Sequence, residues 1–331
     1  MLPNTKKNKT PQERSGGHPD RRPLTRRTLQ HIATVLCTAL FWHVAVAVDG
    51  SQLAPYAFED TKQLVTLVED AGQLIEAKGS AAFAEFAKPG SRWKTAASYL
   101  YVYSPDGTCL FHGSTPRLVG KNLADLRDAN GKPAIQRIIR LAQSPQRHAS
   151  AWVFYLWQDG GSLTPAWKSA YNRKAIAPDG TTLIVGAGLY RIKFERSFLQ
   201  TNVDRAVTLL QSVGIEAAAK ELLDPASEFN FLDTYIYVLD ENGRTVIDPA
   251  FPTQRGRDMI PFTDAVGRPI IAELTEALKT KPAHWEQYLR ARPGDALPSR
   301  KLLYARRITL DGHTYIVGSD CFMATPIWMK L

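Results

Sequence analysis

The chain has 331 residues, of which 44% are hydrophobic and 22% charged, with 22 glycines, 21 prolines and 3 cysteines. That composition excludes a disordered, collagen-like or disulfide-stapled chain and leaves room for about two domains of roughly 150 residues each. The net charge of +9 invites a nucleic-acid reading, but residues 1–47 hold eight Lys and Arg against two Asp and Glu, hence six of the nine net charges. The remainder shows no basic stripe with interleaved aromatics, so nucleic acid is not an expected partner.

The first 47 residues read as an export signal. Arg21, Arg22, Arg26 and Arg27 precede the apolar run IATVLCTALFWHVAVA, which ends in the small-x-small site Ala45-Val46-Ala47. Such a run is short for a bilayer span of about 20 residues and fits a cleaved secretory signal, with mature protein expected to begin near Val48. TRRTLQ also resembles a twin-arginine export signal, with Leu29 as the first apolar residue after the pair. A retained anchor is the alternative.

Next comes TKQLVTLVEDAGQLIEAK, where Leu64, Leu67, Val68, Ala71, Leu74 and Ile75 recur at three and four and predict a helix covering a sheet. Residues 99–112 then predict a hairpin turning at Asp106-Gly107, with Tyr99, Tyr101 and Tyr103 on one face and Leu100 and Val102 on the other. A loop leads to a helix starting near Pro133. Three strands follow: WVFYLW (152–157), KSAYNR (168–173) and IVGAGLY (184–190).

The chain then repeats this text. Sliding the sequence by 136 positions lays residues 99–135 on 235–271 without a gap, with 11 of 37 positions identical, and this reads as an internal duplication. A second leading helix is predicted in RAVTLLQSVGIEAAAKELL, with Val207, Leu210, Val213 and Ala217 facing inward. Its hairpin turns at Asn242-Gly243 and its next helix starts near Pro269. Trp285 to Arg290, Lys301 to Arg306 and Ile316 to Phe322 repeat the last three strands. Hairpin-joined strands build antiparallel sheets, so the expected fold class is α+β, with a long N-terminal helix on a five-stranded antiparallel sheet in each copy. Cys109 and Cys321 lie at non-equivalent positions of the two copies, and the sequence leaves open whether they pair.

The ordered series YVYSPDGTCLFHG, LVGKNL, DANGKP, W..Y.W, K.SAY and IVGAGLY resembles the single-Cache type of extracellular sensor domain. The likeness covers about residues 55–192, with a more diverged copy over about 200–325. It implies two PAS-like modules, exported from the cytoplasm, with a pocket for a small carboxylate, amino acid or amine between sheet and short helices. Relatives of this kind are mostly outer parts of membrane receptors. Because no apolar span follows the second copy, a free periplasmic ligand-binding protein is expected here. A membrane-anchored sensor ectodomain facing the periplasm, or an accessory interaction module for a membrane receptor or transporter, is the alternative.

A buried carboxylate needs charge-assisted hydrogen bonds in place of water. Tyr101, Tyr103, Trp152, Tyr155, Trp157 and Tyr171 are the candidate walls and hydroxyl partners; His112 and Lys168, with Arg173 beside them, are the candidate donors. In the second copy His112 becomes Asp248, Tyr103 becomes Leu239, Trp157 becomes Arg290, and Gly188-Leu189-Tyr190 becomes Asp320-Cys321-Phe322. Fewer aromatics and more acids there predict another ligand or none. HExxH, GxSxG and GxxxxGK[ST] are all missing, Gly186-x-Gly188 sits in a strand, and the histidines have no metal spacing, so no enzyme, metal or cofactor is expected.

Overall fold

The computed structural model describes residues 50–323 apart from 96, 159–163 and 293. The expected export signal therefore lies outside the described residues. Among those described, no helix is long and apolar enough to cross a membrane.

Helix α1 (Glu59–Lys78) leads into a five-stranded sheet of β1 (Leu100–Tyr103), β2 (Cys109–His112), β3 (Ser150–Gln158), β4 (Pro165–Ile176) and β5 (Thr182–Tyr190). Short helix α2 (Ala134–Ile139) precedes β3. Helix α3 (Arg196–Leu223) then leads a second sheet of β6 (Ile236–Asp240), β7 (Thr245–Ile247), β8 (Ala283–Ala291), β9 (Pro298–Leu310) and β10 (His313–Phe322), with α4 (Ile270–Thr280) before β8. Every pairing is antiparallel, and the two sheets have matching orders, β2-β1-β5-β4-β3 and β7-β6-β10-β9-β8.

Residues directly opposed in an antiparallel pair share a face, so the register sorts the first sheet. Leu100, Val102, Tyr171, Val185 and Ala187 pack against Leu64, Val65, Val68 and Ile75 of α1. Tyr101, Tyr103, Val153, Tyr155, Ala170 and Ile184 face Ala134, Ile135 and Ile138 of α2 instead. A buried ion pair sits under α1, where Arg173 Nε lies 2.8 Å from Glu69 Oε2 and Tyr171 donates to Glu69 Oε1 at 2.8 Å.

Helix α3 departs from the stripe expected for it. Gly214 has φ 75°, a left-handed value that interrupts the helix, so the turns on either side are out of phase. Leu199, Val203, Val207 and Leu210 are buried before the break, and Ala218 and Leu222 after it. Val213 is consequently 49% exposed, and Ala217 is exposed too, which corrects their inward assignment.

The α2 region also grips the segment after α3. Buried Lys132 donates from Nζ to the carbonyls of Ser227 and Asn230, and Arg137 Nη2 donates to the Ala226 carbonyl at 2.7 Å. Glu195 accepts the backbone N–H groups of Ala57 and Phe58 at 2.8 and 3.0 Å. Cys109 and Cys321 are both buried free thiols.

Candidate functional site

Lys168 is the central residue of the α2-facing side of the first sheet. Its register partners are Tyr155 on β3 and Tyr190 on β5, which fixes all three on one face. The lysine is 1% exposed; Nζ donates to the Tyr99 hydroxyl at 2.9 Å and sits 4.0 Å from the centre of the Tyr99 ring, 5.4 Å from Tyr101 and 5.7 Å from Tyr190. An ammonium surrounded by ring faces is stabilised, but incompletely, by their quadrupoles. No carboxylate among the described residues makes an ion pair with it. Burial alone pushes the Lys168 amine down to about 7.

Around it, Tyr101 donates to Asn172 Oδ1 at 2.7 Å and packs at a tilt against Tyr103, ring centres 5.3 Å apart. Burial holds the Tyr101 and Tyr155 hydroxyls well above the usual phenol range, so both remain protonated donors. His112, opposite Tyr101 in the β1–β2 ladder, accepts the Thr115 backbone N–H on Nδ1 at 2.9 Å. Burial and the Lys168 charge push its imidazole down to about 4, leaving it neutral at neutral pH. Trp157 packs edge-on against Tyr155 at 5.8 Å.

Six of the eight sequence candidates thus share one face: Tyr101, Tyr103, His112, Tyr155, Trp157 and Lys168. Trp152 and Tyr171 do not, and this is a correction. They oppose each other across β3 and β4 on the α1 side, where Trp152 Nε1 donates to the Tyr56 hydroxyl at 2.9 Å and Tyr171 bonds Glu69. Arg173, two residues from Tyr171 on the same strand, is committed to the same ion pair. The period of two already placed Trp152 opposite in sense to Tyr155, and Tyr171 opposite to Lys168. Tyr99, Tyr190, Asn172 and Gly188 were not among the candidates. Alternation from Tyr101 would have found Tyr99 and alternation from Lys168 would have found Asn172, whereas Gly188 and Tyr190 needed the β4–β5 register.

The corresponding position of the second sheet is built differently. Lys301, opposite Tyr288 as Lys168 is opposite Tyr155, forms an ion pair with Asp320, and Tyr288 donates to the other Asp320 oxygen. Asp320 pairs with Leu303 as Gly188 pairs with Ala170, so the glycine of the first sheet stands where the second carries the carboxylate. Gly188 has no room to spare: a Cβ there would lie 2.7 Å from Lys168 Cε. Beside Asp320 a cavity of about 150 Å³ is lined by Tyr235, Tyr237, Asp248 and Arg290. Burial raises the Asp248 carboxyl above the ordinary range.

The family model for the Cache domain matches residues 85–324. Among solved structures, a periplasmic sensor domain of a chemotaxis protein is 26% identical over 41% of this chain and 100% of its own, with TM-score 0.34. A Cache chemosensory domain described for carboxylic acid recognition is 21% identical over 39% of this chain and 92% of its own, with TM-score 0.33. The ligand-binding domain of the Pseudomonas fluorescens chemoreceptor CtaA, in complex with L-alanine, is 14% identical over 77% and 86%, with TM-score 0.26. No curated protein matches the chain.

Proposed function

The chain belongs to the Cache-domain family, and on that premise we propose that it is a non-catalytic sensor-type protein whose first module binds a small organic acid or amino acid. We assign residues 55–192 and 200–325 to two modules descended from one tandem duplication, and residues 1–47 to an export signal that delivers them to the periplasm. The observation that carries the reading is Lys168: a fully enclosed ammonium with tyrosine partners and no carboxylate paired to it among the described residues, whose counterpart Lys301 has Asp320. A ligand carboxylate at Lys168 would supply the missing counter-charge. Tyr99 and Tyr155 stand beside it as hydroxyl partners, with Tyr101, Tyr103, His112 and Trp157 forming the enclosure.

A thermal-shift panel of carboxylates and amino acids tests this. Binding to the folded state alone adds about 2.7 kcal/mol at a hundredfold excess over Kd, a visible melting shift. Lys168→Ala is expected to weaken binding by about 1.5 to 3 kcal/mol, roughly ten- to 150-fold in Kd. Lys301→Ala should leave the ligand-induced shift nearly unchanged. A wild type inert to the whole panel would instead favour an accessory interaction module.

Binding should also be linked to protons. Unfolded lysine holds its proton up to about pH 10.4, whereas Lys168 releases it near 7. Between those values the unfolded state binds more protons, so this group's contribution to ligand-free stability rises with pH across that window and its penalty is fully present below it. A bound carboxylate favours the ammonium, so binding at pH 8 should take up close to one proton, and affinity should fall by up to about tenfold per pH unit above 7. Titration calorimetry in buffers of different ionisation enthalpy reads this directly; zero uptake would count against Lys168 as the anion's partner.

A further inference from the structure

Trp152 and Tyr171, displaced from the Lys168 face, line a space larger than the cavity beside Asp320. A cleft of about 640 Å³ lies where β3 and α2 of the first module meet the start of α3. Its aromatic wall comprises Tyr56, Trp152, Phe154, Phe198 and Phe231, with Phe154 stacked on Phe231 at 4.1 Å and Trp152 edge-on to Phe198 at 4.8 Å.

Its polar groups are unevenly satisfied. Asn202 is 3% exposed and lines the cleft; Nδ2 donates to the Phe229 carbonyl at 3.0 Å, but Oδ1 has no partner among the described residues, and neither has the buried Ser197 Oγ. An unpartnered buried acceptor costs free energy that a ligand donor would recover. Three guanidinium groups border the same space. Arg140 and Arg205 converge on Glu228, while Arg137 donates to a backbone carbonyl and makes no ion pair among the described residues. Burial lowers the Arg137 pKa, outweighing the opposing pull of the nearby Glu228 and Glu221 carboxylates.

We propose that this inter-module cleft is a second ligand site, separate from Lys168, for a small aromatic carboxylate carrying a hydrogen-bond donor. The ring lies against the Trp152 and Phe198 wall, the carboxylate meets Arg137, and the donor reaches Asn202 Oδ1 after a side-chain shift that uncovers this solvent-shielded atom. Both modules contribute to the site, so its occupant clamps α3 against the first sheet.

The test is calorimetric titration of the full chain with 4-hydroxyphenylacetate, in a Lys168→Ala background so that the first site is disabled. Binding is expected to persist there. Thr201→Trp, an exposed lining position, fills the space and should weaken binding at least tenfold. Arg137→Gln, or replacing the probe by neutral 4-hydroxyphenylacetamide, should cost roughly tenfold through the lost charged hydrogen bond. Failure to bind in the Lys168→Ala background at millimolar probe, or binding indifferent to Thr201→Trp in a chain that still folds, overturns the proposal.

Discussion

Asp320→Asn is expected to destabilise the fold around the second sheet by about 3 to 5 kcal/mol, because it leaves the largely buried Lys301 ammonium without its counter-charge. Lys301 and Asp320 are 6% and 8% exposed, and Tyr288 spends its hydroxyl on the same carboxylate. Denaturant unfolding measures the loss, and the paired replacement Lys301→Met with Asp320→Leu should recover most of it, since no charge is then left buried. A single variant as stable as the parent would show that water reaches the pair. The mirror experiment is Gly188→Asp, which places a carboxylate beside Lys168 as the second module does beside Lys301. The flexible lysine stem must shift to admit it, and the Ser169 carbonyl oxygen, 3.0 Å from the new Cβ, must give slightly as well. The expected result is a first module that no longer responds to added carboxylates, because its counter-charge is internal.

Glu69→Gln should cost about 3 kcal/mol, the low end of the range for breaking a buried ion pair, since Glu76 remains 3.2 Å from Arg173. The glutamine keeps the shape and removes the charge beneath Arg173, which is 2% exposed. Gly72→Ala reaches the same pair from the helix side. Glycine to alanine inside a helix normally stabilises by about 0.5 to 1 kcal/mol, but a Cβ at Gly72 would stand 1.9 Å from Arg173 Nη1. The expected sign is therefore reversed. A Gly72→Ala protein that melts higher than the parent would mean the arginine has an alternative seat.

Several features were readable before any fold was known, because local rules govern them. The Asp-Gly and Asn-Gly turns, the alternation of Tyr101 and Tyr103 against Leu100 and Val102, and the helices begun at Pro133 and Pro269 all depend on residues within a few positions of one another. The same parity would have moved Trp152 and Tyr171 to the far face, yet composition argued the other way. Both faces of β4 are buried, so polarity gives no contrast and an aromatic is equally at home on either. Val213 and Ala217 failed for a different reason: one left-handed glycine rephased α3, and glycine tolerates the regular and the broken helix alike.

The sequence by itself determined the order of helices and strands and singled out Lys168 with its recurrence at Lys301, since periodicity and turn chemistry are local. Tertiary structure alone decided that Gly188 leaves Lys168 without the carboxylate that Asp320 gives Lys301, because lysine and glycine meet only through the β4–β5 register. It likewise decided that Lys132 grips the Ser227 and Asn230 carbonyls and that Arg137 borders a cleft with Asn202. Those partners are distant along the chain, and no local rule links them; only packing the α2 region against the segment after α3 brings the cation onto those carbonyls.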